Sequence, residues 1–360
     1  MKLWKIGVGM GFLAAASHAA HQVDLPASLA APGAMVVDVH VGLSYSEGPA
    51  VDADGNLFFS EDPDVNTGRI WKISPTGEKT VYKDPSRGSN GLEFDNEGRL
   101  HICMLDSVLR IEKNGQVTVL HASKSGTSIG RVNDLSINSA GALFFTNLNG
   151  NTLFFRNPEG VITTRNFNGV NGVEWVEEKS IVYVASGGLQ KCKVDNATGV
   201  LSDCAVFAGG TNGATDGLTV DVQGNVWHAN WSLGKVFVSD STGKELGSIT
   251  IDAAPVQGKR YSNGAMGNAD NCHFGGPDLK TLFITGDGGL YKIDLLVKGR
   301  RRPGWPSSST PILLPARRAP TFRPANRVGD PMRFLLPSGK GFAVGLDGRR
   351  EKTELRPVKP

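Results

Sequence analysis

Past its first twenty residues, this 360-residue chain has no apolar run long enough to cross a bilayer as a helix. It also lacks the sustained 3.6-residue periodicity that a helical bundle would need. Cysteine is scarce. The four present, Cys103, Cys192, Cys204 and Cys272, form no CxxC and no Cys/His zinc spacing. The one Gly-x-Ser-x-Gly, Gly126-Thr-Ser-Ile-Gly130, is followed by no helical pattern, so it does not read as the strand-to-helix elbow of a nucleophilic serine. There is little net charge, +3, but that average hides two unlike regions. From Lys298 to Pro360, 15 Lys/Arg face 4 Asp/Glu, a net of +11, so the first 297 residues carry −8. A nucleic-acid partner is therefore not expected for the body of the protein, and the basic tail lacks the aromatic interleaving of a single-strand binder.

The N-terminus reads as an export signal. Lys2 and Lys5 precede an apolar stretch from Ile6 to Ala16, and Ser17-His18-Ala19 offers small residues before a cut after Ala19. The expectation is a signal peptide over 1–19 and a secreted or periplasmic protein. Oxidising conditions then permit disulfides. Cys192 and Cys204 flank the turn-rich Val194–Gly199, so a hairpin there would pair them. Cys103 and Cys272 fall in apolar runs and read as buried free thiols.

What the chain has instead is a repeat. Glu47, Asn90, Asn133, Asn171, Asp216 and Asn271 each open a short apolar run, at gaps of 43, 43, 38, 45 and 55 residues. About ten residues after most openers comes a second apolar run, such as Leu57-Phe58-Phe59 or Val226-Trp227-His228. Gly, Asn and Asp punctuate the runs. Short strands with turn residues at a period near forty predict an all-β, six-bladed β-propeller over residues 35–298. The sixth repeat has three strands only. The spare strand Met35–Val41 is expected to complete it and close the ring. After residue 298 the turns stop and ten of the nineteen prolines occur, so 299–360 reads as a disordered or irregular tail.

In a propeller the first strand of each blade lines the central channel, so the six openers converge. They bring two carboxylates and four amide oxygens, with no imidazole or thiolate. Two carboxylates confined together repel, and a bound cation relieves that repulsion. Oxygen donors favour one divalent cation, Ca²⁺ first, then Mg²⁺ or Mn²⁺, over Zn²⁺. His101 and His228 lie inside second strands and read as half-buried structural histidines. His273 shares a strand face with Asn271. Trp71, Trp175, Trp227 and Trp231 read as packing residues.

These stretches carry a resemblance: Ser46-Glu47-Gly48-Pro49, Arg131-Val-Asn133-Asp134, Asn171-Gly-Val-Glu-Trp175, Thr215-Asp216-Gly-Leu218 and Asn271-Cys-His-Phe-Gly-Gly-Pro-Asp-Leu279. Together, over roughly residues 36–298, they resemble the SMP-30/gluconolactonase/LRE-like (regucalcin-type) family of six-bladed lactonases. The resemblance implies metal ligands at Glu47, Asn171 and Asp216, with Asp216 also the general base. It implies substrate contacts at Arg131 and Asn133, with Asn90 facing the site through water or substrate. The implied reaction is divalent-metal-dependent opening of a small sugar-lactone-like ring. The alternatives are a sugar- or calcium-binding propeller without turnover, and a hydrolase of another ester or phosphotriester. The tail after Lys298 has no counterpart in the family. Substrate choice is expected to fall to the loops Asp62–Gly68, Ser123–Gly130 and Ala254–Asn268.

Overall fold

In four blades the hairpin between the first two strands is set by one side chain. Asp52 Oδ1 accepts from the N–H groups of Asp54 (3.0 Å) and Asn56 (2.8 Å). Asp95, Asn138 and Asp221 repeat this on the residues two and four further on. Each is an Asx turn that reverses the chain by local chemistry alone. The turn ends at a residue in the left-handed region, Gly55 at φ +80° in the first blade, where a side chain would be strained. Blade four uses a 3-10 turn, Glu177–Lys179, in place of the Asx turn.

A computed structural model describes residues 21–43, 45–61, 68–123, 129–148, 150–208, 214–252 and 268–301, together with the backbone of three short strands between 333 and 351. The expected signal peptide, most of the three long loops and most of the tail lie outside the described residues. The chain divides into two units, Met1–Ile312 and Leu313–Pro360. In the second, Arg333–Leu335, Gly341–Val344 and Arg350–Glu351 pair as a three-stranded antiparallel sheet.

The first unit is a six-bladed β-propeller. Blade one is Ser46–Val51, Leu57–Glu61, Arg69–Ile73 and Lys79–Lys83 in sequential antiparallel order. Blades two to five repeat that order from first strands Ser89–Phe94, Val132–Ile137, Val170–Val176 and Thr215–Val220. Blade six starts at Asn271–Gly275, and its outer strand is Val37–Leu43, paired antiparallel with Gly288–Asp294. The ring is thus closed by an N-terminal strand, as the spare strand led us to expect. Each first strand lies against the next around the ring, and the sixth returns to the first.

Packing extends beyond 35–298 at both ends. Gln22–Asp24 adds a fifth strand to blade five, and Leu29 and Ala30 enter the core between blades five and six. Gly299 N–H donates to Leu279 O and Arg300 N–H to Val220 O. The Arg300 guanidinium reaches Glu174 (2.8 Å) and Glu178 (3.3 Å) of blade four.

The core lies between blades. Trp175 packs edge-on against Phe144 of blade three, and Trp227 against Phe274 of blade six. Both indoles are fully buried, and each N–H is satisfied, by Asn196 and by Asp221. Trp231 differs from the packing role expected of it. It follows the second strand of blade five and is 39% exposed. The disulfide Cys192–Cys204 joins the third and fourth strands of blade four, with Cα atoms 4.0 Å apart, and Cys103 and Cys272 are buried free thiols.

Candidate active site

Five of the six openers share a backbone device. In blades one to five the pairing of first and second strands slips at the opener, between Glu47 and Ala50, Ser89 and Leu92, Val132 and Leu135, Val170 and Val173, and Thr215 and Leu218. Such bulges re-aim side chains and recur beside active sites. In blade six the register runs unbroken from Asn271 to Gly275. The residue after the opener is glycine in four blades, because the next first strand passes against it. A Cβ on Gly48 would meet Gly91 Cα at 2.7 Å, and one on Gly91 would meet Asn133 O at 2.8 Å. A Cβ on Gly172 would overlap Asp216 O, and one on Gly217 would overlap the Asn271 side chain. The glycines let the six strand starts crowd the axis, which brings together residues 224 positions apart.

All six openers are buried. Two residues after each comes an axial collar of Pro49, Leu92, Leu135, Val173, Leu218 and His273, which lines a cavity of about 10 Å³. That is room for about one water. The collar closes the channel beneath the openers with apolar groups in five blades and an imidazole in the sixth. A far larger groove, about 870 Å³, lies at the rim of blades four and five against Cys192, Lys191 and Phe207. Size alone would choose the groove. The buried, converging oxygens are on the axis, and we place the chemistry there.

Glu47 Oε1 accepts from the Tyr45 hydroxyl (2.9 Å) and Oε2 from the Gly48 N–H (3.0 Å). Burial pushes the Glu47 carboxyl up, while those hydrogen bonds, one from Asn271 and the charge of Arg131 pull it back. Asp216 is pushed well above the ordinary carboxylate range, first by burial and then by the charges of Glu47 and Asp134. The Asn171 amide and the Gly217 N–H oppose that rise. Glu47 and Asp216, 169 positions apart in sequence, therefore act on each other directly, with Asn171 bonded to the second of them. Asn171 Oδ1 is itself buried without a hydrogen-bond partner, as is Asn90 Oδ1. Asn133 is 4% exposed, and Arg131 is exposed on the approach to its strand.

Sequence reasoning missed three contributors. Tyr45 donates to Glu47, and its own hydroxyl is pushed well up by burial and by Glu47, Asp270 and Asp216. Asp134 stands where four blades have glycine. Its Oδ1 accepts from the Leu135 N–H and its Oδ2 from Asn271. Asp270 immediately precedes an opener and is 1% exposed. Its residue type and its place beside Asn271 were the available signal. The histidines also differ from expectation. His101 and His228 are fully rather than half buried, and burial lowers both to about 4.

Among the described residues no group of three His, Cys, Asp or Glu could hold a metal ion. A cation on the axis would therefore need oxygen donors beyond carboxylates. The donor set offers them: two carboxylates in each other's field and two buried amide oxygens without donors. Those residues fit a hard divalent cation.

A family model described as the SMP-30/gluconolactonase/LRE-like region matches residues 45–287. The chain belongs to the SMP-30/gluconolactonase/LRE-like family. Within that family it is 30% identical over 242 residues to the pentonolactonase XacC of Haloferax volcanii, an alignment covering 63% of this chain and 76% of that protein. Its fold matches a gluconolactonase from Xanthomonas campestris with TM-score 0.64 at 24% identity, covering 77% of this chain and 95% of that one. It also matches a calcium-binding regucalcin from Agrobacterium tumefaciens with TM-score 0.61 at 18% identity, covering 80% and 98%.

Proposed function

We propose that this member of the SMP-30/gluconolactonase/LRE-like family is a lactonase that uses one divalent cation, Ca²⁺ by preference, to open a sugar-lactone-like ring. The observation that carries the reading is the meeting of Glu47, Asn171 and Asp216. Burial raises the proton affinity of both carboxylates, the charge of Glu47 raises that of Asp216 further, and an unpartnered amide oxygen belongs to the residue bonded to Asp216. Kinship with a protein named pentonolactonase supports lactones as the substrate class.

Glu47, Asn171 and Asp216 would hold the cation. When bound, it supplies a Lewis acid that polarises the lactone carbonyl and favours negative charge on its oxygen. The residues do the rest. Asp216, desolvated and therefore a stronger base than an exposed aspartate, takes a proton from the attacking water. Arg131 and Asn133, with Asn90, hold ring hydroxyls so that the carbonyl carbon faces that water. The acyl–oxygen bond of the ring breaks, the ring oxygen takes the proton that Asp216 removed from the water and leaves as a hydroxyl, and a hydroxy acid is released. Tyr45 holds Glu47 through one oxygen and so fixes its orientation.

The test is hydrolysis of aldono-lactones of five- and six-membered ring with and without EDTA. We expect turnover that chelation abolishes and added Ca²⁺ restores. Turnover indifferent to chelation would sink the metal reading. Absence of turnover across lactones and aryl esters, with Ca²⁺ still bound, would favour a binding propeller.

A further inference from the structure

Asp270 is a buried acid that the mechanism above leaves unused. It lies between Asn268 and the opener Asn271, and its backbone is fixed on both sides. Its carbonyl accepts from the Gly217 N–H (2.8 Å), next to Asp216, and its N–H donates to Thr285 O (2.9 Å) of the second strand of blade six. Its backbone is therefore anchored beside Gly217, the residue that follows the acidic opener of blade five. The residue is 1% exposed, and Oδ2 has no hydrogen-bond partner.

The charges that act on Asp270 most strongly are all negative, those of Glu47, Asp216 and Asp287, with one hydrogen bond from Asn268 in opposition. Tyr45, the partner of Glu47, faces the same three acids, Glu47, Asp270 and Asp216. A buried carboxylate held among like charges destabilises a fold unless something positive answers it. The described residues supply no group of three such ligands around one ion, so Asp270 is not a third acidic ligand beside Glu47 and Asp216. Its effect is through the field.

We propose that Asp270 is a charge-supplying residue set behind the cation ligands, which raises the affinity of the channel for a divalent cation without touching it. The inference rests on the cation reading given above. Charge that acts through a poorly solvated interior is weakly screened, so one buried carboxylate that interacts with the ligands changes affinity by about tenfold or more.

The experiment is calorimetric titration of Ca²⁺ into the metal-free full chain, with the melting temperature of the metal-free protein measured alongside. The wild type, Asp270→Asn and the exposed-carboxylate control Asp54→Asn are compared. We expect Asp54→Asn to bind as the wild type does. We expect Asp270→Asn to bind at least about tenfold more weakly, while its metal-free melting temperature stays level or rises because a repelled buried charge is gone. Equal affinity in Asp270→Asn and wild type would overturn the inference and leave the cation site standing. Weaker binding together with a lower metal-free melting temperature would make Asp270 a structural residue and also overturn it. Failure of the wild type itself to bind Ca²⁺, Mg²⁺ or Mn²⁺ would instead remove the cation reading beneath it. Should Asp270→Asn not fold, Asp270→Thr, whose hydroxyl can take the Asn268 hydrogen bond, is read by the same criteria.

Discussion

Aspartate behaves in opposite ways at the rim and on the axis of this propeller. At the rim, Asp195 and Asp240 sit in exposed hairpins and accept several hydrogen bonds from the turn that follows. Their carboxyls are held below the ordinary range, chiefly by the N–H groups of Thr198 and Ala197 and by the hydroxyl and N–H of Thr242. On the axis, Asp216 and Asp270 are buried among other acids, and desolvation drives both well above that range. The same side chain thus supports the fold in one place and strains it in the other. Strain that a sequence places at one end of the channel, and offsets only in part through Arg131 and a few hydrogen bonds, points to a positive ligand there.

The comparison can be broken most severely at Asp216. Replacing it by Asn should lower lactone turnover by about 10²–10⁴-fold, as loss of a general base does. The metal-free melting temperature should rise, because a repelled charge is gone. Steady-state kinetics and a thermal melt on the same sample check both halves, and a lower melting temperature would contradict the strain argument. Gly48→Ala attacks the backbone that makes the axis crowded. With φ at +53° and Gly91 Cα in the way, it should destabilise by about 3 kcal/mol in urea unfolding.

Next in size is a pH effect away from the carboxylates. His101 and His228 fall from 6.5 to about 4 on folding, so the unfolded chain binds their protons first as pH drops. Their contribution is complete above pH 6.5 and is lost progressively as pH falls toward 4, with an upper size of about 3 kcal/mol each. The axial acids respond in the opposite sense. The clean measurement is therefore the difference between wild type and His228→Asn, unfolded in urea at pH 7 and at pH 5. That difference should shrink at the lower pH. The mildest change is Asp240→Ala at the rim. It removes an exposed turn acceptor and should lower the melting temperature slightly at neutral pH, with catalysis and Ca²⁺ affinity untouched.

Much of the fold was legible because its cues are local. The Asx turns at Asp52, Asp95 and Asp221, each closed by a glycine, announce hairpins without reference to anything distant. The spare strand that completes blade six was readable from the count of strands. The added strand Gln22–Asp24 was not, because it is three residues long and pairs with Glu245–Thr250, more than two hundred positions away. The packing of Arg300 on Glu174 was hidden for the same reason. At the site, the repeat itself singled out Glu47 and Asp216, the only acidic openers. Asp134 and Asp270 stand one step out of phase with the repeat, and periodicity passes over such residues. Tyr45 lies outside the repeated pattern altogether.

The amino-acid sequence by itself determined the strands, their hairpins, their number of repeats and which side chains open each blade, since turn chemistry and period-two burial act over a few residues. The tertiary structure decided which of those side chains feel one another. Closing six first strands, five of them bulged, around one axis, with glycines where backbones touch, places Glu47 within the field of Asp216 and leaves amide oxygens buried without donors. Electrostatic interaction falls with distance in space and is indifferent to distance along the chain. The charge of the channel therefore belongs to the closed ring and to no single repeat.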